Sequence, residues 1–171
     1  MDLHDFDDSE LYFEHPLDPE AQALIEAASS YYGEAAAEAE RCLLRAHLIA
    51  PRHLSVLVAL YRFYYYQHRY DEALRVAEHA LETAGAALHL HGDWRSLTVS
   101  AIAAAGARSM NMLRFYLLAL KGSGFLCLRM DRRAEAAERL GMVTAFDPGD
   151  RLGARFLLLM AQGVDRLPHT T

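Results

Sequence analysis

Three times along the chain the same punctuation recurs: Ala39, Ala46 and Pro51; Ala73, Ala80 and Gly85; Ala136, Val143 and Pro148. The spacings are seven and five each time. Seven residues is close to two turns of α-helix, so the first two members share a face, and the proline or glycine ends the helix just beyond. Compact residues at that interval let a second helix approach closely. From Ala39 to Ala73 is 34 residues, and from Ala73 to Ala136 is 63, one such unit plus an irregular 29. The middle copy is the fullest. Leu57, Leu60, Tyr61 and Tyr64 set one helical stripe, His68 and Arg69 a turn, and Tyr70-Asp71-Glu72-Ala73-Leu74 opens a second helix. In the last copy Gly124 stands twelve residues before Ala136, where two helices can touch. Composition agrees, because five prolines and ten glycines in 171 residues are too few for a sandwich or barrel.

The spacing predicts an all-α chain with helices over 18–31, 35–49, 53–67, 71–84, 94–106, 109–130, 132–145 and 149–164. Asp150 is placed to cap the last, whose Phe156-Leu157-Leu158-Leu159-Met160 is expected to cover the open face of the final repeat. Residues 86–108 break the period and form an irregular insertion, with Trp94 as its anchor. At this length one domain is the default, and about 70% of the unfolded surface can be buried without disulfide or metal. Cys42 and Cys127 read as buried apolar side chains of a protein from a reducing compartment.

Charge is unevenly spread. Residues 1 to 20 hold eight acids and neither lysine nor arginine, leaving 15 acids against 17 bases in the remainder. Residues 1–17 are expected to be a flexible acidic tail, and 18–171 a single helical domain. The N-terminus lacks the basic start and apolar run of a signal peptide, and no transmembrane run appears, which points to the cytoplasm and away from membranes.

The residues Tyr64, Tyr70, Ala73 and Ala80, with Ala39, Ala46 and Pro51 before them and Gly124, Ala136 and Pro148 after, resemble the tetratricopeptide repeat. That resemblance covers residues 20–87 and 117–150. It implies a right-handed α-α superhelix of about three helix pairs, with the irregular insertion and a C-terminal capping helix. The family's frequent tryptophan is Ala23, Leu57 or Leu120 here. Tyr61-Arg62-Phe63-Tyr64, His68-Arg69-Tyr70, Asp93-Trp94-Arg95-Ser96-Leu97 and Arg114-Phe115-Tyr116-Leu117 are similar to short repeat proteins of proteobacterial nitrogen-fixation gene clusters, whereas Thr98 to Met112 departs from them. Size and acidity also look like the small repeat chaperones of type III secretion.

In such a superhelix the first helix of each pair lines the concave side, as the resemblance implies. On the helix from His53 to Gln67 the residues left over from packing are Val58, Arg62, Tyr65 and Tyr66. The same offset gives Tyr31 and Tyr32 in the first copy and Lys121, Phe125 and Arg129 in the third. Tyrosine offers large contact area at low entropy cost, and arginine grips a carboxylate bidentately. The surface therefore suits a protein or peptide partner of acidic or aromatic character. Three consecutive tyrosines on a helix cannot all face inward. Asp5, Asp7 and Asp8 with Phe6, Tyr12 and Phe13 are candidates to compete for it.

Other chemistries find little support. There is no phosphate-binding glycine loop, no nucleophile elbow and no His-Glu-x-x-His helix, so an enzyme is not expected and no cofactor is implied. Gly122-Ser123-Gly124 is better explained by close helix contact than by phosphate. His89, His91 and Asp93 would have to converge to hold a metal. Nucleic acid is not expected at a pI of about 5.8, and Arg129, Arg132, Arg133 and Arg139 look balanced by Glu135 and Glu138 on a solvated face. The reading is a non-catalytic adaptor or chaperone. Its rivals are a metal-binding protein and a self-assembling one, the latter pairing as a homodimer through an apolar face around Phe115, Tyr116 and Leu159.

Overall fold

A computed structural model describes residues 15–31 and 35–163, all of whose regular elements are helical. The helices are α1 (Pro19–Ser30), α2 (Ala36–Ile49), α3 (Leu54–Tyr66), α4 (Tyr70–Ala87), α5 (Val99–Arg108), α6 (Met110–Arg129), α7 (Arg133–Phe146) and α8 (Arg155–Ala161). Most of the acidic tail, Tyr32 and residues 164–171 lie outside the described residues.

Short turns fold the chain into helix pairs α1–α2, α3–α4 and α6–α7. Two of these turns are built alike. After α3, Arg69 N–H donates to Tyr64 O and His68 sits at φ 56°; after α6, Arg132 N–H donates to Cys127 O and Asp131 also sits at φ 56°. The end of α4 repeats the motif with Leu90 N–H on Gly85 O and His89 at φ 57°. This is the Schellman arrangement, in which a left-handed residue ties off the last carbonyls, here without the glycine that usually fills it. Three residues between α3 and α4, and three between α6 and α7, leave an antiparallel return as the only packed solution.

The repeated small residues sit where pairs cross. Ala39, Ala46, Ala73, Ala80, Ala136 and Val143 are all buried. A Cβ on Gly124 would lie 2.8 Å from Leu140 Cγ, and one on Gly85 would lie 3.3 Å from the Tyr116 ring. The first locks α6 onto α7, the second α4 onto α6. Because Tyr70 meets Arg129 and Gly85 meets Tyr116, α6 runs opposite to α4, and α3 and α6 are therefore parallel on either side of it. Tyr61, Phe63, Phe115, Leu118 and Leu120 are among the largest fully buried side chains of the core.

Three expectations need correction. A single helix over 94–106 is instead a 3-10 turn at Trp94–Ser96 followed by α5. Asp93 Oδ1 accepts from Arg95 N–H and Thr98 Oγ1 from Ala101 N–H; two caps five residues apart start two elements. The last helix is shorter, because Asp150 and Gly153 take positive φ in the approach to it. Asp150 does receive its leading amides, from Ala154 and Arg155, but Phe156 remains 58% exposed, so α8 covers α7 with one face alone. Phe115 and Tyr116 form no outer apolar face, since both are buried where α4 crosses α6.

Candidate functional site

At the C-terminal ends of α3 and α6, aromatic side chains from distant segments converge on Tyr65. Its ring centroid lies 5.4 Å from Tyr66 and 6.2 Å from each of Tyr61, Tyr70 and Phe125. Separations of this size are those at which ring quadrupoles attract. Arg129 closes one side: its guanidinium carbon stands 5.2 Å from the Tyr70 centroid and Nη2 donates to Tyr70 Oη at 2.7 Å. His68 packs edge-on against the same ring at 5.9 Å.

The helix turn explains which tyrosines are presented. Tyr64 is buried and its hydroxyl donates to Glu40 at 3.1 Å, Tyr65 is half-buried, and Tyr66 is 58% exposed. One step of about 100° between neighbours carries the three rings from core to surface. Burial first, then the Glu40 carboxylate, pushes the Tyr64 phenol up. Tyr64 also lies under Arg69, 4.7 Å from its guanidinium carbon.

Arg62 precedes Tyr66 by one turn and Lys121 precedes Phe125 by one turn, so on parallel helices the two cations stand at one level below the rings. Arg62 is half-buried, and Lys121 is buried at 6% exposure rather than presented at the surface. Val58 is buried and lines nothing. Tyr31 is 42% exposed at the C-cap of α1, away from the ring cluster, and Tyr32 lies outside the described residues. Five of the eight expected residues thus share the α3–α6 stripe with Lys121 beneath: Arg62, Tyr65, Tyr66, Phe125 and Arg129, and the fold adds Tyr70. Tyr70 was legible as a repeat residue, but its second role, facing Arg129 across 59 positions, needed the fold. Neither α3 nor α6 contains an Asp or Glu, while together they carry Arg62, Arg114, Lys121 and Arg129.

The other arginines are differently placed. Arg139, expected on a solvated face, is 4% exposed; it donates to Ser123 Oγ at 3.0 Å and to Glu78 at 2.6 Å. Gly122-Ser123-Gly124 is likewise buried inside this helix contact. Arg69 bridges Glu40 and Glu72, Arg132 reaches Asp71, and Arg95 reaches Glu138. Trp94 lies between the guanidinium groups of Arg95 and Arg139, at 4.1 and 5.2 Å, beside an open cleft of about 550 Å³. In that cleft burial, with Asp93 adding to it, pushes the Tyr116 phenol up to about 12, so it is a hydrogen-bond donor at neutral pH.

His89 and His91 rings stand 6.5 Å apart, while Asp93 is taken up by Arg95, whose backbone N–H foremost holds its carboxyl below the usual range. Among the described residues no three His, Cys, Asp or Glu side chains are grouped to hold a metal ion. Cys127 is buried, which raises its thiol, and Cys42 is half-buried. No described helix is long and apolar enough to cross a membrane.

No protein-family model matches the chain. A protein of Azotobacter chroococcum mcd 1, described as an uncharacterized 19.8 kDa protein in the nifW 5' region, is 48% identical over 158 residues, covering 92% of this chain and 87% of that protein. The chain belongs to the family of that protein.

Proposed function

We propose, from membership of this family and from the groove, that the chain is a cytoplasmic, non-catalytic adaptor or chaperone acting around nitrogen fixation. It holds an acidic, aromatic segment of a protein partner between α3 and α6. The finer architecture belongs to the same proposal: three tetratricopeptide-like pairs wound as a right-handed superhelix, with α1, α3 and α6 lining the inner side. The shared turn geometry at His68 and Asp131 and the buried alanines of each second helix support it. The setting rests on the genomic position named for the relative.

One observation carries the recognition chemistry: two parallel helices, joined by the Tyr65–Phe125 ring contact, carry Arg62, Lys121 and Arg129 and contain no carboxylate of their own. A carboxylate entering the groove exchanges water for guanidinium hydrogen bonds, roughly twice as strong as neutral ones. Aromatic neighbours add ring contacts with little ordering cost, because their rotamers are already fixed by one another.

The test is affinity capture from nitrogen-fixing cells with the wild type and an Arg62→Glu, Tyr66→Ala variant. Loss of specific partners from the variant supports recognition through the groove. Identical partner sets on both proteins would remove the groove from the account.

A further inference from the structure

The cleft of about 550 Å³ beside Trp94 shares no residue with the α3–α6 groove. Its size is that of a site for a small molecule or a few residues of peptide. One wall is the face of α4 on which Glu78 and Glu82 stand one turn apart, followed by Gly85, whose lack of a side chain lets the Tyr116 ring lie against the helix. The other wall is the segment from Leu90 to Arg95. It is pinned to α4 by Leu90 N–H on Gly85 O at 2.8 Å, and to α7 by the pairing of Arg95 with Glu138.

Charge decides what this cleft accepts. In and beside it stand four carboxylates, Glu78, Glu82, Asp93 and Glu138, against the guanidinium groups of Arg95 and Arg139, with His91 in the same wall. Arg139 is taken by Glu78, and Arg95 by Asp93 and Glu138 together. Glu82 is exposed and forms no ion pair with a described residue, while the like charge of Glu78 sits on the same helix face. Gly85 and Ala86, in the last turn of α4, bring the negative end of the helix dipole to that wall. Trp94, already beside both guanidinium groups, offers a ring that attracts cations.

The second feature is a hydroxyl. Tyr116 is 4% exposed, yet it lines the cleft, and its hydroxyl hydrogen-bonds to no described residue. The phenol is protonated at neutral pH and so has a proton to give; leaving such a group without a partner costs free energy. The surrounding carboxylates reject an anion, so the acceptor that suits it is a neutral carbonyl. Glu82 precedes Gly85, against which the Tyr116 ring packs, by about one turn, so one residue of a ligand can reach both. A cation and a neutral carbonyl joined over that span describe an arginine within a peptide chain, whose planar head pairs bidentately with a carboxylate.

We propose that the Trp94 cleft binds a basic peptide segment, setting an arginine guanidinium against Glu82 and a main-chain carbonyl against the Tyr116 hydroxyl. Its charge preference is opposite to that of the groove, and it stands whether or not the groove holds a partner.

Trp94 is the only tryptophan in the sequence, so tryptophan emission reports on this cleft directly. The full chain is titrated with acetyl-Gly-Arg-Gly-amide, and with the same peptide carrying citrulline or glutamate in place of arginine, by fluorescence and by calorimetry. The arginine peptide is expected to saturate one site, the citrulline peptide to bind several-fold more weakly, and the glutamate peptide not to bind. Glu82→Gln, at an exposed position, and Tyr116→Phe, which removes only the unpartnered oxygen, should each weaken the arginine peptide several-fold with an unchanged urea midpoint. No saturable binding by either method, equal affinity for the arginine and citrulline peptides, or wild-type affinity in either variant would overturn the proposal.

Discussion

The two sides of the helix pairs use the same cation in opposite ways. Around α2, α4 and α7 several arginines are paired with carboxylates of the scaffold: Arg69 with Glu40 and Glu72, Arg132 with Asp71, Arg139 with Glu78. On α3 and α6 the cations share their helices with rings and no acids. The first arrangement ties successive pairs together through ion pairs; the second gathers cations and rings on helices that contain no acid of their own.

The largest stability effect is expected on the ion-paired side. Glu78→Ala leaves Arg139, at 4% exposure, without its carboxylate and should cost about 2–3 kcal/mol in urea unfolding, less than a fully buried pair because Glu78 is partly solvated. Gly124→Ala should follow at about 1–3 kcal/mol, since the new methyl meets Leu140 at 2.8 Å; the control Gly141→Ala, with nothing within 4 Å, should stabilise by up to about 1 kcal/mol. Arg132→Ala, losing an exposed ion pair, should shift stability by no more than about 0.5 kcal/mol. If Arg132 proved as costly as Glu78, burial would not be what separates these pairs.

A smaller effect is pH-dependent. His47 packs edge-on against His79 at 5.6 Å, and burial, then the neighbouring His79, holds its pKa below the ordinary 6.5. The folded state therefore prefers the neutral ring, and unfolding takes up a proton. This contribution is fully present above 6.5 and is lost as pH falls from there through the lowered folded value. Urea midpoints should decline over that range in the wild type and decline less in His47→Gln; parallel curves would show that another group is responsible.

Most of the helix order was legible from spacing, because small residues at helix crossings and Schellman turns leave marks within a few positions. What escaped depended on neighbours far along the chain. Arg139 looked solvated beside Glu135 and Glu138, yet α4 crosses above it and Glu78 draws it inward. Phe115 and Tyr116 looked like an exposed apolar face, but α6 is packed by α4, α5 and α7, so it is apolar nearly all round. The break between Trp94 and Val99 was written in Asp93 and Thr98, two capping residues too close together for one helix. In the groove, the repeat offset brought Tyr65 and Phe125 into register, while the depth of Lys121 and the bridging place of Tyr70 follow from tertiary packing.

The most direct measurement of the central contrast is quantitative capture with two charge reversals, Arg62→Glu on the groove side and Arg132→Glu on the other. Both proteins should remain folded. The account predicts that partners are lost from the Arg62 variant and retained by the Arg132 variant. Equal retention by both, or loss from Arg132→Glu alone, would contradict it.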